Sequence, residues 1–381
     1  MTARSRFRIA AAVGALIAPL AMVATVSAPA DAASAKHKHE IYMYKVEKDL
    51  RLAGVGPDAN GVGGEQSISC FGTDNALDGM WNVKHVDDFH DPSVEPDPDD
   101  DPEFPSTSTL GGIYNDERDV FVEASYPDMT NRAKWNFRFD NRAYGDAQVK
   151  IFATCLRDYT EKASGHKHKT DVRGAFYTPG TTATFVSNRW AWDSNWTGFT
   201  CLNKEYMVAP GFDLQSTVDD HRLVASYPTN AGRSWAWEFA SFDPTGALNP
   251  QHLPGGTGPI VGPEQIHFYA KCINRQVLAD SPTGHRHAVA MKHLWSGLQN
   301  IKVGDPRELQ YSCDTDYWEY SAYKAMVGAF YLHDYWWNTW YLGSEPRPKT
   351  RVWQFWNTGS SQAKVDLGVL CINSRTANPT I

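Results

Sequence analysis

Short runs in which apolar and polar residues alternate recur along this chain in a fixed order. An aromatic run comes first each time, and a second run that ends on a cysteine follows it. The aromatic runs are Trp135-x-Phe137-x-Phe139, Trp235-x-Trp237-x-Phe239 and Trp353-x-Phe355. The closing runs are Val149-x-Ile151-x-Ala153-x-Cys155, Ile266-x-Phe268-x-Ala270-x-Cys272 and Val365-x-Leu367-x-Val369-x-Cys371. A period of two places the apolar residues on one face of a strand, and helical periodicity is scarce, so the pattern predicts an all-β fold.

Other signals recur in the same order and define a threefold repeat. Each repeat opens with a His-x-His pair, continues to its first cysteine and then reaches a proline-marked turn. The pairs are His37/His39, His166/His168 and His285/His287, the first cysteines are Cys70, Cys201 and Cys313, and the turns end at Pro127, Pro228 and Pro346. We therefore expect repeats at 36–165, 166–284 and 285–381, with loop insertions at 87–105 and 243–263.

The repeat also predicts how the six cysteines pair. Six cysteines allow 15 connectivities, but only one gives each repeat its own bridge. The predicted bridges are Cys70–Cys155, Cys201–Cys272 and Cys313–Cys371, which close loops of 58 to 85 residues. In the chain-entropy model a loop of that length is worth roughly 4 kcal/mol. Short alternating strands with one buried bridge are typical of a β-sandwich, so we expect three tandem sandwiches of immunoglobulin-like size.

The first 35 residues have the composition of a signal peptide. Arg4, Arg6 and Arg8 form a basic start, the segment 9–26 is apolar, and small residues follow at 30–35. A membrane anchor is the alternative, but the small residues fit a cleavage site. No second apolar run approaches the ~20 residues of a spanning helix. We expect a secreted or cell-surface protein in an oxidising compartment, where cysteines pair.

The charge of the predicted mature chain narrows the choice of partner. Without residues 1–32 the chain has 33 basic and 43 acidic residues, a net charge of −10. An acidic surface disfavours nucleic acid and anionic lipid. The partner is therefore expected to be an extracellular glycan, another protein, or further copies of this chain.

Several motifs resemble those of a family. Val208-x-x-Gly211-Phe212 and Val327-Gly328-Ala329-Phe330 follow a first cysteine, Asn141 and Asn357 follow the aromatic strand, and Phe268-Tyr269-Ala270-Lys271-Cys272 closes repeat 2. Together they resemble a disulfide-bridged tandem repeat of secreted actinobacterial proteins, over most of residues 66–375. Repeat 1 departs from the pattern because no Gly-Phe pair follows Met80. The shared motifs are structural, and the resemblance implies no activity.

The His-x-His pairs are candidates for metal binding. Residues i and i+2 of a strand share a face, so two imidazoles can point at one ion, and imidazole suits zinc, copper or nickel. Two ligands are too few for a closed zinc site. A carboxylate such as Asp171, or another repeat, would have to complete it. The alternatives are a solvated linker and a packed junction between repeats. A copper monooxygenase site is excluded, because neither cleavage site leaves His37 as the first residue.

A second candidate for metal binding is the acidic loop. It contains Asp97, Asp99, Asp100, Asp101 and Glu103, which could hold calcium, although the spaced Gly and distal Glu of an EF-hand are missing. A solvated acidic surface is the simpler interpretation. His85, His90 and Asp91 lie beside the loop and form a weaker metal candidate.

The aromatic residues of repeat 3 are the candidate binding face. Adjacent residues of a strand point to opposite faces, so some of these rings must lie outside the repeat's own core. The residues are Tyr335, Trp336, Trp337, Trp340 and Tyr341. Exposed rings can stack on sugars or contact a protein. The alternative is that they pack at the junction with repeat 2.

No motif indicates catalysis. A Gly-x-Ser-x-Gly elbow, a His-Glu-x-x-His helix and phosphate-binding loops are all missing from the sequence. The sequence therefore favours an extracellular binding or structural protein that contacts its partner through repeat 3. The alternative is a metal-dependent assembly protein in which zinc or copper joins units or chains through the His-x-His pairs.

Overall fold

Each repeat contributes six long strands to the structure. The computed structural model describes residues 37–56, 60–87, 117–183, 189–194, 199–214, 220–242, 264–279, 284–314, 322–334 and 338–380. Repeat 1 contains β1 (Met43–Leu52), β2 (Glu65–Ser69), β3 (Asn75–Val86), β4 (Val120–Pro127), β5 (Lys134–Asn141) and β6 (Ala147–Leu156). Repeat 2 contains β7 (Val172–Ala183), β8 (Arg189–Asp193), β9 (Glu205–Leu214), β10 (Asp220–Thr229), β11 (Ser234–Phe242) and β12 (Glu264–Asn274). Repeat 3 contains β13 (Arg286–His287), β14 (Met291–Ile301), β15 (Gly304–Ser312), β16 (Tyr323–Leu332), β17 (Thr339–Pro346), β18 (Thr350–Asn357), β19 (Ala363–Asn373) and β20 (Pro379–Thr380).

The all-β prediction is confirmed. The described residues contain no α-helix, and their helical segments are short 3₁₀ turns such as Glu117–Asp119 and Asn230–Gly232. None of these residues belongs to a helix long and apolar enough to cross a membrane.

Every six-stranded sheet is built from two repeats. The three sheets have the strand orders β1-β6-β3-β17-β18-β15, β2-β5-β4-β9-β12-β7 and β14-β19-β16-β10-β11-β8. In each, the first, third and sixth long strands of one repeat continue into the fourth, fifth and second of another. Repeat 1 shares sheets with repeats 2 and 3, and repeats 2 and 3 share the remaining one. The repeats therefore close into a ring, and three separate tandem sandwiches are not confirmed.

The three seams between repeats use the same register. The fourth strand of one repeat pairs with the third strand of the next at Ala124↔Asp213, Ala225↔Tyr331 and Gly343↔Asn82. The seam residue of the fourth strand is small in all three cases, which allows the two backbones to approach closely. At Gly343 the approach is closest, since a Cβ there would lie 2.1 Å from the carbonyl oxygen of Trp81.

The structure contains the three predicted disulfides. They join Cys70 to Cys155, Cys201 to Cys272 and Cys313 to Cys371, with Cα–Cα distances of 5.7 to 5.9 Å, and all six cysteines are buried. Each first cysteine lies between the second and third long strands of its repeat, where the chain crosses from one sheet to another. Each bridge therefore anchors a crossover to the sixth strand.

The aromatic strands form the core, with one correction to the sequence alignment. In β5 the alternate residues Trp135, Phe137 and Phe139 are buried as predicted. Pro127 lies opposite Trp135 and Pro228 opposite Trp235, but Pro346 lies opposite Arg351. Repeat 3 therefore carries an arginine at the first aromatic position, and Trp353 corresponds to Phe137. The aromatic spacing concealed this because Trp353-x-Phe355 has the same pattern as Phe137-x-Phe139.

Candidate metal centre

The three His-x-His segments lie at the three equivalent junctions between repeats. The second histidine of each pair bonds through its backbone to the end of the preceding repeat. Thr160 donates its amide hydrogen to the carbonyl of His168 at 2.9 Å, and Val277 donates to that of His287 at 3.0 Å. Thr160 and Val277 both lie five residues beyond the last cysteine of their repeat. The local structure at these junctions therefore follows the repeat.

The third junction joins the two ends of the fold. Thr376 donates its amide hydrogen to the carbonyl of His39 at 2.9 Å, and the amide of His39 donates to the Thr376 hydroxyl at 2.9 Å. Thr376 also lies five residues beyond the last cysteine of its repeat. The start of repeat 1 and the end of repeat 3 thus meet as two consecutive repeats do.

All six imidazoles meet at one place, which we call the histidine centre: His37, His39, His166, His168, His285 and His287. Each ring centre lies 4.7 to 5.3 Å from the centres of four other rings of the group. The second histidines of the pairs, His39, His168 and His287, are fully buried, whereas the first ones are half-buried. The centre therefore has a buried inner triad and a half-buried outer triad.

Backbone carbonyls fix the tautomer of four of these histidines. Nδ1 of His39 lies 3.1 Å from the carbonyl oxygen of Glu161, and Nδ1 of His168 and of His287 lies 2.8 Å from those of Leu278 and Ala377. Nδ1 of His166 lies 3.1 Å from the carbonyl oxygen of Ser164. A carbonyl oxygen only accepts, so each Nδ1 carries the hydrogen, and in the neutral ring Nε2 is the nitrogen that has the lone pair.

The Nε2 atoms converge. Nε2 of His166 lies 3.2 Å from Nε2 of His285. Two overlapping sets of four, His37/His166/His285/His287 and His39/His166/His168/His287, have ligand atoms within 4.8 Å of one another. Nε2 of His39 and of His287 is buried and forms no hydrogen bond to any described residue. A buried nitrogen lone pair without a donor is costly unless it binds something.

Burial also keeps part of the centre neutral. It lowers the pKa of His39 and of His287 to about 4, because the imidazolium form loses its hydration and the neighbouring histidines repel a positive charge. Each carbonyl bond to Nδ1 opposes the shift without reversing it. These two imidazoles are therefore neutral at neutral pH, which is the form that coordinates metal ions.

Neither the linker nor the carboxylate interpretation of the pairs fits this arrangement. Asp171, the suggested fourth ligand, accepts a hydrogen bond from Nδ2 of Asn274 at 3.0 Å and belongs to neither ligand set. The additional histidines come from the other repeats instead. The sequence contained this signal in the threefold recurrence of the pair, but only ring closure places the three pairs together. A third His/Cys/Glu group, Cys201/Glu205/Cys272, contains a disulfide, so its sulfurs are already bonded to each other.

The acidic loop lies almost entirely outside the described residues. Asp97, Asp99, Asp100, Asp101 and Glu103 are among the residues not described, as are His90 and Asp91. Asp87, at the start of the loop, forms an ion pair with Arg51 at 2.7 Å, and His85 is exposed on β3. Calcium binding by the loop stays a prediction.

The aromatic candidates of repeat 3 divide into two groups. Tyr335, Trp336 and Trp337 lie outside the described residues. Trp340 is buried, with the guanidinium group of Arg222 over its ring. Tyr341 packs against Trp81, Phe330 and Phe355, with ring centres 4.3 to 5.6 Å apart. Neither Trp340 nor Tyr341 presents an open face, so of the five candidates Tyr335, Trp336 and Trp337 stay predicted contact residues.

Comparisons with known proteins do not assign a family. No protein-family model matches the chain, and no curated protein matches it.

Proposed function

We propose that this is an extracellular or cell-surface protein whose ring of three repeats is held closed by a divalent transition-metal ion in the histidine centre. The observation that carries the proposal is the set of four Nδ1–carbonyl contacts, which make Nε2 the nitrogen through which these rings would coordinate the ion. Histidines that bind metals characteristically donate their other ring hydrogen to a carbonyl or carboxylate, which fixes the ring's orientation. Here the donor set is present in all three repeats.

The position of the centre gives the ion a structural role. Its ligands come from all three junctions, including the one that joins His39 to Thr376 near the two ends of the fold. An ion that binds only the folded ring stabilises it by RT ln(1 + [M]/Kd), about 2.7 kcal/mol at 100 times Kd. This is a modified form of the metal-dependent assembly hypothesis, in which the ion joins the repeats of one chain.

The surroundings of the protein are part of the same proposal. Three buried disulfides are typical of oxidising compartments, and the N-terminal segment has the composition of a signal peptide. The repeats supply a rigid extracellular scaffold, and no residue is assigned a catalytic role. An extracellular glycan or protein remains the predicted partner, with Tyr335, Trp336 and Trp337 as the predicted contact residues.

The test is metal content together with stability. The mature protein is purified without a metal-affinity step, its bound metals are measured by plasma mass spectrometry, and its thermal unfolding is followed before and after chelation. We expect one transition-metal ion per chain and a lower melting temperature after chelation. Replacement His166→Gln should lower both the metal content and the melting temperature of the metal-loaded protein.

His333→Gln is the matched control. His333 is an exposed histidine outside the centre, with Nε2 3.2 Å from a carboxylate oxygen of Asp366. This variant should retain the ion. A wild-type protein that binds no transition metal, and whose unfolding is unchanged by Zn²⁺, Ni²⁺, Co²⁺ or chelator, would contradict the proposal.

A further inference from the structure

We infer that the histidine centre is an octahedral site of six imidazole nitrogens, which binds ions of the series Fe²⁺, Co²⁺ and Ni²⁺ and holds Ni²⁺ more tightly than Zn²⁺. This inference rests on the proposed function, because it specifies the coordination and the class of ion at the same site. It goes beyond that function in predicting a saturated ion with no position for a reactant.

The repeat itself argues against a four-ligand site. The inner triad is placed by equivalent backbone contacts: His39 with Thr376, His168 with Thr160, and His287 with Val277. The rings are oriented by equivalent carbonyls, those of Glu161, Leu278 and Ala377. A centre with threefold pseudosymmetry offers three or six equivalent ligands. A tetrahedral ion binds four ligands, so two of the six histidines, with nitrogens that point into the centre, would not be coordinated.

The ring positions describe an octahedron. An octahedron has six corners, each of which has four neighbours and one opposite corner. Each imidazole likewise has four neighbouring rings at 4.7 to 5.3 Å. The opposite pairs implied by this pattern are His37/His168, His39/His285 and His166/His287. Each pair combines one outer and one inner histidine, as two stacked triads require.

The distances also suit one ion. With a metal–nitrogen distance of about 2.1 Å, neighbouring nitrogens of an octahedron are about 3.0 Å apart, opposite nitrogens about 4.2 Å and neighbouring ring centres about 4.6 Å. The neighbouring Nε2 atoms of His166 and His285 are 3.2 Å apart, and the nitrogens of both sets of four lie within 4.8 Å. The observed cage is slightly larger than the ideal one, so small movements of the rings would close it around an ion.

The donor set determines the class of ion. Imidazole suits zinc, copper, iron and nickel, while Mg²⁺, Ca²⁺ and Mn²⁺ favour oxygen ligands, and neither ligand set contains a carboxylate. Zn²⁺ takes four ligands in closed structural sites, and Cu²⁺ prefers a tetragonal arrangement. Among Fe²⁺, Co²⁺ and Ni²⁺, affinity rises in that order. Six fixed nitrogens therefore favour Ni²⁺ over Zn²⁺ more than a four-histidine site would.

The experiment counts the ligands directly. The mature protein is stripped of metal and reloaded with Ni²⁺ or Co²⁺, and the number of imidazole nitrogens is measured by X-ray absorption at the metal edge. We expect six, together with the weak visible absorption of six-coordinate Co²⁺ rather than the strong absorption of a tetrahedral ion. In a competition titration, Zn²⁺ should bind at least about tenfold less tightly than Ni²⁺.

Single variants distinguish six ligands from either set of four. His37 and His285 belong only to the first set, whereas His39 and His168 belong only to the second. In a six-ligand site, glutamine at each of the four positions weakens Ni²⁺ binding, by at least the tenfold typical for loss of a supporting contact. In a four-ligand site, one of these two pairs of variants would bind normally. His333→Gln is the control that should bind normally in either case.

The failures of the two proposals are distinguishable. Four nitrogens at the metal edge, or strong tetrahedral Co²⁺ absorption, would overturn the octahedral site and leave the metal-binding function intact. No bound ion with any of the metals would overturn both. The spectroscopic measurement uses the wild-type chain, so it decides the question even if the variants of buried His39 and His168 do not fold.

Discussion

The histidine centre and the sheet seams both connect the repeats, but the seams differ from one another in the residues that they bury. The histidine centre draws the same residue type from every repeat, at equivalent positions. The seam between repeats 1 and 3 instead contains a buried ion pair, Asp78 with Arg351, at 2.7 Å. The symmetric region gathers six imidazoles, whereas the asymmetric one places a complete pair of charges in the core. Ring closure thus tolerates a buried ion pair at one seam.

The register shows what the ion pair replaces. Asp78 pairs with Thr154, the residue before the last cysteine of its repeat, and Val208 and Val327 occupy the same position in the other repeats. Arg351 occupies the position of Trp135 and Trp235. Repeats 2 and 3 therefore have valine where repeat 1 has aspartate, and repeats 1 and 2 have tryptophan where repeat 3 has arginine.

Both charges of this seam are enclosed. Arg351 is fully buried, and Asp78 also accepts the amide hydrogen of Gly328 at 3.0 Å. Burial raises the pKa of Asp78, and the nearby guanidinium group opposes that shift. A Cβ at Gly328 would lie 3.0 Å from the Arg351 side chain, so a larger residue there would require that side chain to shift. The pair depends on a closely fitted site, so loss of one member should be severe.

The largest expected effect is therefore that of Asp78→Ala. Removing one member of a buried ion pair leaves the other charge uncompensated, which costs about 3–5 kcal/mol. We expect guanidinium chloride unfolding to show a loss of that size. A change below about 1 kcal/mol would show that Arg351 is neutralised in another way.

The double replacement Asp78→Val with Arg351→Trp tests whether the two substituted positions account for the difference between the seams. It gives the third seam the residues that the repeat has at the other two. Replacing a buried ion pair by well-packed apolar residues is often neutral or stabilising. We expect the double variant to recover most of the stability lost in Asp78→Ala, measured by the same unfolding experiment. A double variant less stable than the single one would indicate that the seams differ in more than these two residues.

Chelation should have the next largest effect, and it should be local. If the ion is present at 100 times Kd, its removal lowers stability by about 2.7 kcal/mol and raises the equilibrium constant for opening of the centre about 100-fold. Hydrogen exchange of the His39 and Thr376 amides, which bond across the junction of the two ends, should accelerate accordingly. The Gly328 amide at the Asp78 seam is the internal control. Equal acceleration at both regions would show a global effect of the ion.

Lys271 should make stability depend on pH, with a smaller effect. It occupies the repeat position that Thr154 and Leu370 hold in the other repeats. Its side chain is fully buried and donates to the carbonyls of Ala76 and Arg132 at 3.0 and 2.7 Å. Its pKa is lowered to about 7, mainly by burial; Asp128 opposes this shift, and Arg132 contributes to it.

The folded and unfolded states release the Lys271 proton at different pH, so the free energy of unfolding depends on pH. Above pH 7 the folded state has released this proton, whereas the unfolded lysine keeps it up to a pH of about 10.4, so the unfolded state binds more protons. Stability from this group therefore rises by about 2 kcal/mol between pH 7 and pH 9, and falls towards a constant penalty below pH 7. Unfolding free energies of wild type and Lys271→Leu across this range should show the rise only in the wild type. Parallel curves would show that Lys271 stays charged.

The sequence predicted strands, repeats and disulfides because these follow from local alternation and from recurrence. Asn141 is a further example: its side chain donates to the carbonyls of Leu52 and Gly145, and Asn357 repeats this arrangement with those of Ile301 and Ser361. The exchange of strands between repeats was not predictable in this way. Backbone pairing across a seam depends on register between residues about 90 to 260 positions apart.

Only part of the histidine centre could be predicted from the sequence, for the same reason. The pair His166/His168 can be recognised as a two-ligand fragment, and its recurrence suggests a function, but the fragment does not state where the other ligands lie. Only the meeting of the first and third repeats brings His37 and His287 together, with ring centres 5.0 Å apart. The position of Arg351 in the core could not be predicted at all, because Trp353, two residues later, preserved the expected aromatic pattern.

The three junctions differ in one hydrogen bond, and its loss should change the free energy of unfolding least. At two of them a threonine hydroxyl accepts the amide of the inner histidine: Thr376 for His39 and Thr160 for His168, at 2.9 and 3.0 Å. The third junction has Val277 at the equivalent position, so the site accommodates a β-branched apolar residue of the same shape. Thr160→Val should therefore keep the fold and cost about 1 kcal/mol, the usual net value of one hydrogen bond. Its unfolding free energy is measured beside that of Val277→Thr, which should be unchanged or slightly raised. A loss above about 3 kcal/mol in Thr160→Val would mean that the hydroxyl supports the geometry of the histidine centre, and metal affinity should then fall in the same variant.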